Sequence, residues 1–313
     1  MLLNCSDRIA YLRCGDACMS YRPIVLLTIG AMAASPASAA KTPLSLTHTT
    51  KWEMNYGEDV CTVASRFGEG KGSVLLVLNR FDPGDGFEMK LYSDGLSHQG
   101  LFMPIEVAFG EQPSQRYDAM YATATDAAKT PTVIIGGMRL DGWQWKGKSF
   151  DPAAVAPTIS KEQEAAVTSI TYSASGRKPV RLQTGSMAPV MAAMRTCTED
   201  LLRHWGFDPA VQASLKRPVQ PLSNPGTWLR SGDYPTGSLI NGENGLVKFR
   251  LDVESDGSVS ACRILYRTNP DSFADLSCKL LKQRARFAPA LDAQGKPVKS
   301  YFLSQVRWIM EGA

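Results

Sequence analysis

Hydrophobic and polar positions alternate in two different rhythms along this chain, and the change of rhythm divides it. From Trp52 onward short runs of β-branched, aliphatic and aromatic residues recur at Val74–Phe81, Phe87–Tyr92, Met103–Phe109 and Thr132–Ile135. Their length and bounding polar residues predict strands. Asp82-Pro83-Gly84-Asp85-Gly86 separates the first two with turn chemistry, which predicts a hairpin. Lys161–Val167 reads as a short helix, with Ser160 as N-cap and Gln163 or Glu164 near the capping-box position. Thr168–Tyr172 and Val180–Gln183 predict another strand pair. The rhythm then lengthens to three and four residues: Met187, Val190, Met191, Met194, Cys197, Leu201, Leu202 and Trp205 fall on one face of a helix over 186–205, stopped by Gly206. Ser186 is the expected N-cap.

Pro209, Pro218, Pro221 and Pro225 punctuate 208–228, which reads as a partly extended linker. Beyond it, Leu246–Val253 and Ser258–Tyr266 flank Asp256-Gly257, a hairpin signal. Asp271–Arg286 carries Phe273, Leu276, Leu280 and Leu281 at helical spacing. Val298–Ile309 returns as a long extended run containing Tyr301, Phe302 and Trp308. The order strand, strand, helix, strand predicts an α+β chain: a β-rich domain over 40–207 whose sheet could be a sandwich, a barrel or mixed, a linker, and a small β-β-α-β domain over 229–313.

Composition narrows the classes. With 313 residues and 44% hydrophobic content, the chain has enough apolar side chains for a sizeable core. A net charge of +4 gives no electrostatic case for nucleic acid. Arg22, the apolar run Ile24–Ala34 and Ala37-Ser38-Ala39 have the layout of a cleaved export signal, with Met19 as an alternative start and 1–39 as leader and signal peptide. This predicts an exported protein; membrane anchoring through Ile24–Ala34 is the alternative if the segment stays uncleaved, although the run is shorter than the roughly 20 apolar residues of a membrane span.

Of seven cysteines, Cys5, Cys14 and Cys18 precede the expected cleavage point. Cys61, Cys197, Cys262 and Cys278 remain for an oxidising compartment. Cys262 lies in the second hairpin strand and Cys278 in the next helix, elements that must pack face to face, so they are expected to pair; Cys61 with Cys197 then follows by elimination. No metal site is expected, because His48, His98 and His204 lack a second ligand at usable spacing and no Cys-x-x-Cys pair occurs. No catalytic signature is legible either. His204 shares a helical face with Asp200 but reads as a helix-end side chain, and Asp252, Glu254 and Asp256 lack the glycine and glutamate of a calcium loop. We therefore expect no enzyme and no cofactor.

Tyr234-Pro235, Gly245-Leu246-Val247, Asp256-Gly257-Ser258-Val259, Arg284-Ala285-Arg286-Phe287-Ala288-Pro289-Ala290 and Gly295-Lys296-Pro297-Val298, in that order, resemble the C-terminal domain of the TonB family over Tyr234–Trp308, a quarter of the chain. Departures are Ser238, where the family usually has alanine, and Asn269-Pro270-Asp271, where it has a different turn. The resemblance implies recognition of an extended periplasmic segment of an outer-membrane transporter by β-strand addition, in energy-coupled transport. The pairing edge would be the last strand, with Tyr301, Leu303, Gln305 and Arg307 on one face and Phe302, Val306 and Trp308 on the other. The segment 208–228 is far shorter than the family's proline-rich spacer. Two other readings stay open. The edge could be covered by the first domain or by a second copy, making the domain a structural or dimerisation module; or an enzyme site could be dispersed through the first domain.

Overall fold

The computed structural model describes residues 42–124, 129–144, 156–268 and 271–310. The expected leader, its cleavage point and the Asn269-Pro270 turn lie outside the described residues. Those from Thr42 onward form one compact unit.

Ten strands make the first sheet: β1 (Leu44–Thr47), β2 (Glu53–Tyr56), β3 (Cys61–Phe67), β4 (Val74–Arg80), β5 (Phe87–Tyr92), β6 (Phe102–Phe109), β7 (Gln115–Thr123), β8 (Pro131–Met138), β9 (Ile170–Ala174) and β10 (Val180–Gln183). Their order is β1-β10-β9-β6-β7-β8-β5-β4-β3-β2, with only β1 and β10 parallel. The two ends of that order meet. His48 bridges to Phe67, Thr49 N–H donates to the Arg66 carbonyl and Gly68 N–H to the Thr47 carbonyl, so the bent stretch from β1 to β2 pairs with β10 on one side and β3 on the other. The sheet closes as a barrel, which removes its exposed edges. His48 is fixed at this seam by Ser65 Oγ at 2.7 Å and the Thr184 carbonyl at 3.0 Å, a structural assignment for a histidine.

Alternate residues point inward, among them Val63, Leu76, Leu78, Met89, Ile105, Val107, Val133 and Ile170. The helix α1 (Lys161–Ala166) starts at the expected Ser160 capping box with Gln163. The helix α2 (Ala188–His204) buries Val190, Met191, Met194, Cys197 and Leu201 in the barrel core, and Cys61–Cys197 ties it to β3. Ser186 is not its N-cap: Met187 holds that position without a side-chain bond, and Pro189 stands at the second helical position, within the first turn where its missing N–H has no helical partner to lose. β1, β2, β3 and β7 were not resolved as separate strands in the sequence pattern. β1 and β2 are short and mostly exposed, so they carry almost no apolar alternation.

The segment expected as a linker is folded onto the C-terminal part. It contains α3 (Pro209–Ala213) and β11 (Gln220–Pro221), and β11 pairs with β14 (Phe287–Ala288). Arg217 bridges to Leu291, and Trp228 is buried against Phe287 and Phe302. Pro209 and Pro225 open helical turns and Pro221 lies in the two-residue β11, positions where a missing N–H costs little.

After α4 (Thr236–Ile240) come β12 (Gly245–Val253), β13 (Val259–Arg267), α5 (Asp271–Arg284), the two-residue pair β15 (Ala290–Leu291) and β16 (Pro297–Val298), and β17 (Ser300–Trp308). The sheet order is β13-β12-β17, all antiparallel. Phe249, Leu251, Val306 and Trp308 pack on Phe273 and Leu281 of α5, and Cys262–Cys278 fastens β13 to that helix. The β12–β13 turn has Gly257 at φ +84°, and a Cβ there would lie 2.1 Å from the Phe287 carbonyl oxygen. Only glycine fits, which ties the Asp-Gly turn to the Phe287-Ala288-Pro289 stretch in three dimensions.

Candidate functional site: the outer edge of the last strand

β17 lies at the end of its sheet, with β12 as its only strand neighbour among the described residues. Which of its amides face outward follows from the ladder. Leu246 directs its N–H to Thr268 Oγ1 and its C=O to Thr268 N–H, toward β13 and away from β17. In an antiparallel pair the backbone groups alternate sides, so Val247, Phe249 and Leu251 face β17. Their register partners are Val306, Ser304 and Phe302. The outward amides therefore belong to Tyr301, Leu303, Gln305 and Arg307, the four residues singled out in the sequence.

Their side chains face the barrel. Tyr301 packs edge-on against Trp205 and lies 5.3 Å from Phe207 between ring centroids. Arg307 sits over Phe102 at 5.7 Å. Burial lowers its tendency to stay charged while Asp118 supports the charge. Leu303 and Gln305 line a cleft of about 410 Å³ between β17 and the barrel. On the opposite wall are Phe81, Asp82, Gly84 and Gly86 of the β4–β5 turn, Glu88, and Gly136-Gly137 of β8. The barrel-facing side of the sheet, at Lys248 of β12 and Leu303–Gln305 of β17, thus borders a cleft whose second wall is supplied by the barrel. The alternative that the first domain covers this strand is met in part: it covers a face, and leaves the outer amides without a strand partner among the described residues.

The barrel reaches the sheet through charged groups. Lys248 lies 3.6 Å from Glu88 Oε2 and over the Phe81 ring, while Lys90 lies 3.5 Å from Glu88 Oε1 and over Tyr266. Arg250 stacks on Trp205 and pairs with Asp252 at 2.8 Å. Glu88 is 1% exposed, and its Oε2 accepts no hydrogen bond. Asp82 is pushed up to about 6 by burial, against the opposing pull of Lys248 and Arg80. Sequence reasoning did not find Asp82, Glu88 or Lys248. The only signal was Glu88-Met89-Lys90 inside a strand: charges at alternate positions whose apolar neighbours already fill one face demand cover on the other.

Asp252, Glu254 and Asp256 do not converge. Asp252 pairs with Arg250, Glu254 with Lys299 at 2.8 Å, and Asp256 accepts from Ser258 N–H in the turn. Asp200 pairs with Arg203 instead of His204. Among the described residues no group of three His, Cys, Asp or Glu side chains is placed to hold a metal, and no helix is long and apolar enough to cross a membrane.

A three-stranded antiparallel sheet backed by one helix, with its last strand at the sheet's end, defines a small α+β module. Residues 231–310 match the family described as Gram-negative bacterial TonB protein C-terminal, so the resemblance read over Tyr234–Trp308 holds for that segment. Comparison with curated proteins and with solved structures gives no match.

Proposed function

We propose that this chain is a non-enzymatic binding protein of the periplasm whose TonB C-terminal segment takes up an extended peptide of an envelope protein as a fourth strand beside β17. The observation that carries this reading is the row of outward amides at Tyr301, Leu303, Gln305 and Arg307 without a strand partner among the described residues. An edge of this kind offers main-chain hydrogen bonds at a spacing that only an extended chain satisfies. The family match supports the periplasmic segment of an outer-membrane transporter as the partner class. Energy-coupled transport is the process in which such a contact would act. The folded state of 208–228 against the C-terminal sheet offers that segment no role as a long spacer, so the proposal rests on recognition rather than on force.

A second reading has its own observation: Tyr301 and Arg307 are engaged by the barrel, as expected for a packing module. Photo-crosslinking from Leu303 in native envelopes separates the two. Capture of a transporter through its periplasmic N-terminal segment supports strand addition; capture of only a second copy, or of nothing, assigns the edge to structure. Deleting 298–309 would not serve, because Val306 and Trp308 belong to the core.

A further inference from the structure

We propose that the barrel carries a second site, at the mouth opposite α2, for a small amphiphilic anion: a carboxylate or phosphate group borne on a short apolar body. The site goes beyond the strand-addition reading and does not depend on it, since its walls belong wholly to the barrel.

Helix α2 closes one end of the barrel. Its Cys197 is bonded to Cys61 at the start of β3, its Met191 Sδ accepts from Arg80 at the end of β4, and the Met187 N–H donates to the Val167 carbonyl just before β9. The other end keeps a cleft of about 400 Å³. Its walls come from the start of β1, the β3–β4 connection, the loop after β5 and the β9–β10 hairpin.

Three features give this cleft a chemistry. Every charged side chain lining it is a cation, Lys71, Arg177 and Lys178, and none of the three is in an ion pair among the described residues. Arg177 is anchored by donating to the Ser97 carbonyl, a neutral partner that leaves its charge uncompensated. Glu69 and Asp94 are the nearest carboxylates along the chain; both are exposed and outside the lining, and counting them still leaves the mouth positive. Between the cations the surface is apolar, with Leu96 at 1% exposure and Val180 beside it. Finally, Tyr172 lines the cleft at 5% exposure, and its hydroxyl has no hydrogen-bond partner among the described residues. Burial raises its pKa against the pull of Arg177, so the hydroxyl stays protonated and remains a donor. Only the contents of the cleft are left for it to bond.

An anion entering there is drawn by three cations and receives a hydrogen bond from Tyr172, while its apolar body covers Leu96 and Val180. A cation meets like charge on every side. The body must be short, because Phe67, Val74 and Leu76 fill the barrel behind the mouth and are fully buried.

The test titrates the full chain with octanoate, octyl phosphate and octylammonium by calorimetry, each below its micelle concentration. Both anions are expected to saturate and to bind at least about tenfold more tightly than octylammonium, and to weaken as sodium chloride rises from about 50 to about 500 mM. Lys71→Gln with Lys178→Gln should weaken octanoate about fivefold. Tyr172→Phe removes a hydroxyl with no partner in the fold, so it should keep the parent's unfolding midpoint yet bind octanoate about tenfold more weakly. Equal affinities for octanoate and octylammonium, no saturable binding of either anion, or undiminished octanoate binding by Tyr172→Phe would each overturn the site. Association with phosphatidylglycerol vesicles without octanoate binding would make the same cations a membrane contact, and would overturn it too. None of these outcomes bears on β17, whose crosslinking from Leu303 reports on strand addition separately.

Discussion

At the scale of single residues, the hairpin glycine and a buried hydroxyl decide more than any titratable group in the C-terminal segment. Gly257→Ala places a Cβ against the Phe287 carbonyl from a left-handed backbone, and should cost about 2–4 kcal/mol in denaturant unfolding. Ser277 donates to the Phe273 carbonyl at 2.6 Å and accepts from Trp308 Nε1–H at 3.1 Å, all three groups being buried. Ser277→Ala strands the indole N–H without a partner and is expected to cost about 1–3 kcal/mol by the same measurement. Asp82 acts in the opposite sense. Its folded-state pKa is raised, so the native chain binds more protons than the unfolded one and loses stability as pH rises through about 6. Asp82→Asn should therefore be more stable than the parent above that pH, with the difference vanishing toward pH values below the unfolded carboxyl range. A difference that grew on acidification would contradict the burial assigned to this carboxyl. Gly257 and its turn were legible in the sequence as Asp-Gly; Asp82 was legible only as turn composition, because nothing local tells a solvated turn aspartate from one lodged against another domain.

At the scale of elements, β17 offers a direct check of the ladder argument. Leu303 turns its N–H outward and Ser304 turns its N–H toward β12. Leu303→Pro removes a donor from the open edge only, as edge strands tolerate, whereas Ser304→Pro breaks a ladder bond beside Phe249. The first should fold, keep Cys262–Cys278 and lose peptide binding; the second should destabilise the sheet by about 3 kcal/mol or more. If the two prolines act alike, the outward assignment is wrong. Strands and helices with strong alternation or a full apolar stripe were readable in advance: β4, β5, β6, α2, α5 and the β12–β13 hairpin lie within a few residues of expectation. The barrel closure was not, since it depends on β1 bridging to β3 through His48 and Phe67, a contact between weakly patterned segments. The two disulfides join the cysteine pairs expected from packing and from elimination. They differ in span, 136 residues for Cys61–Cys197 against 16 for Cys262–Cys278. Loop entropy then predicts that losing the first costs about 5 kcal/mol and the second about 3, measurable by unfolding of the paired serine variants.

At the scale of the whole molecule, the barrel and the TonB C-terminal segment are held as one body, and the pattern of burial shows where. β5 buries Glu88 and Lys90 as well as Phe87, Met89 and Leu91, and β12 buries both of its faces. A strand covered on both sides has a partner on each. For β5 the inner partner is the barrel core; the outer one is the sheet face bearing Lys248 and Tyr266. Between them Leu246 packs with Met120 and Ile134 in a small apolar cluster separate from both cores. That separation makes Leu246 the position at which coupling can be removed without emptying either core. Leu246→Asp buries an unpaired carboxylate at the junction, and an ion of this kind costs several kcal/mol unless water reaches it. The least costly response is for the two parts to separate locally, because Val247 and Phe249 still hold β12 in its own core. Calorimetry of the parent should show a single cooperative transition, and Leu246→Asp should resolve it into two, with both disulfides intact. Two transitions already present in the parent would mean that the buried charges of β5 and β12 do not couple the parts, and that the barrel wall opposite Leu303 and Gln305 is not fixed relative to β17.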